Sequence, residues 1–375
     1  MRLKCAFVFA AVVAPVMVAA LTSMPSGPAL SQNSARSANM QIEWIDVEGG
    51  AATLIVAPSG ESLLLDTGYR DGDRDAKRIY AAAQKAGLKQ IDYVAISHWH
   101  GDHEGGLAAL SKMMPIGRFF DHGDGVDAVD KVRLDDYKAI AGDKRTIVKP
   151  GDKIPLKGVD VTVVSSEFSL LPQPINGGGP NPLCANAPQM SPAGNENQRM
   201  VGVLVSFGPF TFLDVADLDW AKEMELACPI NKVGKVTLYQ AGRHGSLDGA
   251  GAPAYLGAIS PQVIVVNNGP RKGLGASDDR IKPIEVAGKP TAPYERNAYL
   301  RMAKLPGIEG IWQGHLSFLD KDPDHNTSPD MIANLEEGAA DRGNSIIASV
   351  APDGKYTLTN SRNGFSRNYT VRPAK

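Results

Sequence analysis

Ser97-His98-Trp99-His100-Gly101-Asp102-His103 follows directly on the apolar run Ile91 to Ile96. Three of the 7 histidines in 375 residues, and one carboxylate, fall inside this short stretch. A buried strand ending here would hand its ligands to a tight loop at the sheet edge, within reach of solvent. Imidazole and carboxylate are the ligands that a borderline divalent ion such as zinc prefers. His98 and His100 stand two apart, so in an extended loop their side chains leave on the same side. Asp102 and His103 continue the loop and can face a second ion. A surface loop rich in histidine by accident is the bland alternative, and the clustering argues against it. The segment is read as a metal site.

Other segments follow in a consistent order. Leu63-Leu64-Leu65-Asp66-Thr67-Gly68 lies upstream, and Thr211-Phe212-Leu213-Asp214-Val215-Ala216-Asp217 lies downstream. Leu238-Tyr239-Gln240-Ala241-Gly242-Arg243-His244-Gly245-Ser246 comes later, and Asn195-Glu196-Asn197-Gln198 precedes the apolar run Val201 to Val205. With H-x-H-x-D-H at 98–103, this series resembles the metallo-β-lactamase superfamily, and the last two segments resemble its ComEC-type, DNA-internalisation branch. The resemblance covers roughly residues 41 to 270 and loosens over the last hundred.

The resemblance implies an α/β fold, a four-layer αββα sandwich, and a hydrolase that uses metal-activated hydroxide. It places a first metal on His98 and His100 and a second on Asp102, His103 and His244, with Asp217 bridging the two. Asp102 and Asp66 carry the catalytic roles, Asp66 by orienting the histidine loop through the other imidazole nitrogen. One or two Zn2+ ions are expected, with Mn2+ as the alternative. Two departures stand out. The third histidine usual for the first metal should lie between the loop and Asp217, where only His122 occurs, sooner than that position. Arg243 stands where the "HHGS" segment has its first histidine. His122 is left as either a ligand or a structural turn residue, and the number of ions stays open. Asp214 is read as a strand-end turn residue. His315 and His325 are given no chemistry. Arg271 and Lys272, after a buried strand, are read as either an anion clamp or a solvated turn.

The branch implies phosphodiester substrates, in nucleic acid or a nucleotide. Two alternatives remain, a hydrolase of lactam, lactone or thioester bonds, and a metal-binding protein without catalysis. A small-molecule or nucleic-acid substrate is expected and no protein partner.

Arg2 and Lys4, the apolar run Ala6 to Leu21 and the small residues after it read as a signal peptide and leader over 1–31. A periplasmic or secreted protein is therefore expected, with no stable membrane insertion after cleavage. An uncleaved anchor is the rival. Removing the segment changes the formal charge from −2 to about −4, because Arg2 and Lys4 leave with it. That balance gives no electrostatic reason for avid duplex binding. Of 3 cysteines, Cys184 and Cys228 remain, and in an oxidising compartment they either pair or stay free.

The remainder, 41–375, is read as one domain with a β-rich C-terminal extension at about 345–372. Residues 22 to 40 are read as a mobile leader. Strands are predicted at 41–47, 53–57, 62–65, 91–96, 159–164, 201–213, 236–239 and 263–266, then 345–350, 356–359 and 368–371. Helices are predicted at 75–86, 105–114, 126–140 and 220–227. The long Pro-, Gly- and Asn-rich stretch 167–197 is either a binding rim or an insertion without a role.

Overall fold

Alternation of side chains along each strand dictates the layering. In Val263–Val266, Val263 and Val265 join one apolar cluster while Ile264 and Val266 join another on the opposite face. A strand buried on both faces needs a partner layer on each side. The computed structural model describes residues 38–246, 249–276 and 294–373.

The chain first builds β1 (Met40–Trp44), β2 (Thr53–Val56), β3 (Ser62–Leu65), β4 (Ile91–Ala95), β5 (Ile116–Asp121) and β6 (Arg145–Ile147). It then builds a second sheet from β7 (Lys153–Ile154), β8 (Asp160–Ser166), β9 (Ser169–Leu170), β10 (Gly202–Phe207), β11 (Phe210–Asp214), β12 (Leu238–Gln240), β13 (Val263–Val266), β14 (Gly310–His315) and β15 (Ile332–Asn334). Finally β16 (Ile346–Val350), β17 (Lys355–Asn360) and β18 (Ser366–Thr370) return to the first sheet. The first sheet runs β18-β17-β16-β1-β2-β3-β4-β5-β6 and the second β15-β14-β13-β12-β11-β10-β8-β7, with β9 on β8. β3 to β6 are parallel, as are β11 to β15, and the hairpins are antiparallel.

Helices α1 (Arg74–Lys85), α2 (Leu107–Met113) and α3 (Lys131–Ala141) cover the first sheet, and α4 (Trp220–Ala227), α5 (Pro253–Ile259) and α6 (Ala298–Ala303) the second. Three apolar layers result. Ile79, Val94 and Leu110 pack between the first sheet and its helices. Trp44, Phe212 and Trp312 pack between the two sheets. Leu213, Tyr255 and Leu256 pack between the second sheet and its helices. This is the four-layer αββα sandwich. Polar bridges cross the middle layer: Gln240 Oε1 accepts from Trp44 Nε1 at 2.9 Å and Thr53 Oγ1 at 3.0 Å, and Trp312 Nε1 donates to Tyr369 OH at 3.1 Å.

Several boundaries differ from the sequence reading for local reasons. The apolar stretch 201–213 is a hairpin, because Gly208 turns with φ 55 and Pro209 follows it. The helix expected over 126–140 begins as a single 3-10 turn, Ala128–Asp130, before α3. Met40, assigned to the leader, is buried in β1 opposite Val350. The segment at 345–372 is not appended to the domain: β16 pairs with β1 and extends the first sheet. The stretch 167–197 is fastened along its length, by the Cys184–Cys228 disulfide, by Ile175 N to Lys232 O at 2.9 Å and by Asn181 N to Pro229 O at 2.9 Å. The expected signal peptide lies outside the described residues, and among them no helix is long and apolar enough to cross a membrane.

Candidate metal centre

Parallel strands of both sheets deliver their C-terminal ends to one place, the position at which open α/β sheets form their sites. Asp66 follows β3, Ser97 to His103 follow β4, Asp217 follows β11 and His244 follows β12. Asp66, Ala216, Arg243 and His244 all carry positive φ (61, 42, 50 and 55°), a conformation that costs non-glycine residues free energy and gathers at functional sites. Gly106 lets the loop close, since a Cβ there would collide with the Thr67 carbonyl oxygen.

Four ligand atoms converge. His103 Nε2 lies 3.4 Å from both Asp102 Oδ2 and Asp217 Oδ1, and His244 Nε2 lies 3.2 Å from the same two oxygens. A tetrahedral ion with bonds of about 2.0–2.1 Å has ligand atoms about 3.3 Å apart. His103 Nε2, His244 Nε2 and Asp217 Oδ1 are buried and make no hydrogen bond, which a bound cation would remedy. The residues therefore fit a divalent metal. Electrostatics agree in direction. Burial disfavours charge on His103, but Asp102, Asp217 and Asp66 outweigh it and raise the imidazole well above its ordinary range. Burial likewise opposes ionisation of Asp102 and Asp217, and the facing imidazoles overcome it and hold both well below the carboxylate range. The cage is built to hold positive charge.

Asp66 sits behind the cage. Its Oδ1 accepts from Ser97 N at 2.7 Å, and its Oδ2 accepts from Ser97 Oγ at 2.7 Å and from His103 Nδ1 at 2.7 Å. Holding the Nδ1 proton turns the His103 Nε2 lone pair toward the cage. His98 Nδ1 lies 2.9 Å from Ser97 Oγ, and His98 Nε2 lies 3.0 Å from His100 Nδ1. Burial, then the neighbouring His103 and His100, hold the His98 imidazole well below its ordinary value. His98 and His100 thus form an adjoining pair, and among the described residues no third His, Cys, Asp or Glu joins them in a ligand group.

His122 is engaged elsewhere: Nδ1 faces Glu167 Oε2 at 3.1 Å and Nε2 faces Glu196 Oε1 at 2.8 Å. Glu196 also accepts the Trp99 amide at 3.2 Å, so His122 braces the metal loop from outside. Asp214 is buried, with Oδ1 accepting from Ala216 N at 2.9 Å and Gln240 Nε2 at 3.0 Å, and burial pushes its carboxyl up to about 7. Arg271 pairs with Glu337 on the surface, whereas Lys272 reaches Asp102. Sequence reasoning missed Ser97, whose hydroxyl links Asp66 to both imidazoles, although it opens the quoted loop. It also missed Tyr69, next to the Asp-Thr-Gly turn.

Comparison with known proteins bears on this arrangement. Residues 45–184 match the family described as Metallo-beta-lactamase superfamily. The atrochrysone carboxyl ACP thioesterase of Cryptosporiopsis sp. (strain 8999) is 35% identical over 66 residues, 18% of this chain and 20% of that protein. A lactamase-like protein of Aspergillus sp. (strain MF297-2) is also 35% identical over 66 residues, again 18% and 20%. The chain spans about a fifth of the length of these curated relatives. Among solved structures, a metallo-beta-lactamase fold protein from Bacillus subtilis aligns with 73% of this chain and 95% of its own, at 11% identity and a TM-score of 0.40. The matched segment contains Asp66 and the whole histidine loop, so over that segment the chain is similar to the metallo-beta-lactamase superfamily.

Proposed function

We propose that this protein is an exported, metal-dependent hydrolase of phosphodiester bonds. The observation that carries the metal and hydrolase reading is the cage of Asp102, His103, Asp217 and His244, with buried ligand atoms 3.2 to 3.4 Å apart and three of them without hydrogen bonds. A divalent ion held there supplies Lewis acidity and an activated water, and a second on the His98–His100 pair would complete the kind of two-ion clamp that suits displacement at phosphorus. The chain's own part is orientation. Asp66 fixes the His103 ring, Ser97 fixes His98, and the buried Trp99 holds the loop against His122 and Tyr137. The 30% exposed His100 side chain leaves the pair open to solvent and hence to substrate. Export is supported by the N-terminal apolar segment together with the Cys184–Cys228 disulfide, a bond kept in oxidising compartments.

A second reading, hydrolysis of a thioester, has its own support. The relatives named above include a thioesterase, and two exposed valines stand beside the metal loop. Val129 and Val132 are 83% and 70% exposed and flank Asp130, whose carboxylate lies 3.9 Å from His100.

Hydrolysis of bis(p-nitrophenyl) phosphate and of an acyl-coenzyme A thioester, each by zinc- and manganese-loaded protein, separates the two. Turnover of the phosphodiester that disappears in Asp102→Ala supports the first reading. Turnover of the thioester alone replaces it with the second.

A further inference from the structure

Lys272 carries the one ammonium that contacts the cage among the described residues, and its surroundings fix it there. Its Nζ pairs with Asp102 Oδ2, the same oxygen that faces His103 and His244. It also donates to Tyr69 OH at 2.8 Å and lies 5.1 Å from the centre of the Tyr69 ring. The residue stands in a tight turn after β13, closed by Gly269 N to Lys272 O at 3.0 Å. That turn is held from three sides. Asn268 Nδ2 donates to His315 O at 2.8 Å, Phe318 N donates to Pro270 O at 2.8 Å, and Gly49 packs so closely that a Cβ would lie 2.8 Å from Gly269 N. Gly273 (φ 84°) lies directly against His244, where a Cβ would collide with the His244 carbonyl oxygen. The Lys272 side chain is 38% exposed, so the ammonium stands at the mouth of the cage rather than within it.

We infer that Lys272, positioned by Tyr69, binds a negatively charged oxygen of the substrate beside the metal. This rests on the metal-hydrolase reading and adds the group that selects an anionic substrate. Asp102 Oδ2 is a cage atom and has a metal ion as its stronger partner. An ammonium released from that oxygen keeps its Tyr69 contact and has donors left over. A phosphate straddling the cage then has an ion on one oxygen and an ammonium on another, a charge-assisted arrangement stronger than neutral hydrogen bonds. Arg271 is engaged elsewhere, its Nε and Nη2 donating to Glu337 at 2.7 and 2.8 Å on the surface.

The test is calorimetric binding of inorganic phosphate to zinc-loaded protein, with zinc content measured on the same samples. Lys272→Met is expected to weaken phosphate binding about tenfold or more, which is about 1.4 kcal/mol or above, without changing zinc content. Lys272→Arg should restore most of the affinity, and Tyr69→Phe should give an intermediate loss. Phosphate bound by Lys272→Met as tightly as by the native protein would overturn the inference. So would loss of zinc from that variant, because Lys272 would then be part of the cage. Native protein that binds phosphate through Lys272 yet hydrolyses no ester would keep this inference and remove the hydrolase reading.

Discussion

Among the described residues, two groups of histidine and carboxylates bring one ligand atom each to within 4.8 Å of one another. One is the cage of Asp102, His103, Asp217 and His244. The other joins Asp46, His315 and Asp341. By residue type alone either would pass for a metal site. In the second, Arg78 fills the place of a cation: its Nη1 lies 2.6 Å from Asp46 Oδ2 and its Nη2 lies 2.7 Å from Asp341 Oδ2. Asp46 Oδ1 is used as well, by His315 Nε2 at 2.6 Å and by Glu48 N at 2.9 Å. In the cage three of the four ligand atoms, His103 Nε2, His244 Nε2 and Asp217 Oδ1, are buried without hydrogen bonds, and Asp102 Oδ2 alone is answered, by Lys272. The difference teaches that the unused lone pair, not the ligand type, marks a metal centre. A buried carboxylate already answered by a guanidinium gains little from an ion and would lose its partner to one.

The contrast can be broken first at Asp217. Asp217→Ala is expected to reduce bound zinc and to lower turnover by about a thousandfold, about 4 kcal/mol of barrier. Metal analysis and phosphodiesterase rates check both, and a variant with native zinc content would remove Asp217 from the cage. Arg78→Met should do the reverse. It leaves Asp46 and Asp341 buried without their counter-charge and costs about 3–5 kcal/mol of folding stability, while zinc content stays at the native level. Urea unfolding of the metal-free protein measures the loss.

Chelation sharpens the comparison. A ligand bound a thousandfold above its Kd stabilises the folded state by about 4 kcal/mol. Removing zinc should therefore lower the unfolding midpoint of the native protein and of Arg78→Met by similar amounts, and leave Asp217→Ala almost unmoved. Equal shifts in all three would place the metal elsewhere.

His122 supplies the smallest expected effect. Burial lowers its basicity, but Glu167 and Glu196 outweigh that and raise it above the ordinary 6.5. The folded state thus holds the His122 proton more tightly than the unfolded chain. The resulting stability is fully present below pH 6.5 and is lost as pH rises through the raised value. His122→Ala should therefore cost about 1–3 kcal/mol near pH 6, and less near pH 9, with zinc stoichiometry unchanged. A loss of stoichiometric zinc would return His122 to the ligands.

Much of the frame was legible in the chain. The continuous apolar run of β13, the short runs of β3 and β4, and the Asp219 cap whose side chain accepts the Lys222 amide at 2.9 Å announce their elements locally. Hydrophobic period and capping act within a few residues, so sequence carries them. The 98–103 loop was legible for the same reason, since most of its ligands are neighbours in the chain. Where helices start was less legible: the turn at Ala128–Asp130 has no side-chain cap to mark it.

What the sequence by itself determined is part of the set of elements and the metal loop, both written in short-range spacing, while β14, β15, α5 and α6 were not read from it. Tertiary structure alone decided which candidates meet. It gave His122 to two glutamates, gave Asp46 and Asp341 to Arg78, and brought Lys272 to Asp102, whereas Asp217 and His244 stand opposite His103 in the grouping that the resemblance implied. Those outcomes depend on how two sheets stack and which strand ends share an edge. Such contacts join residues far apart in the chain, and the local pattern around each does not encode them.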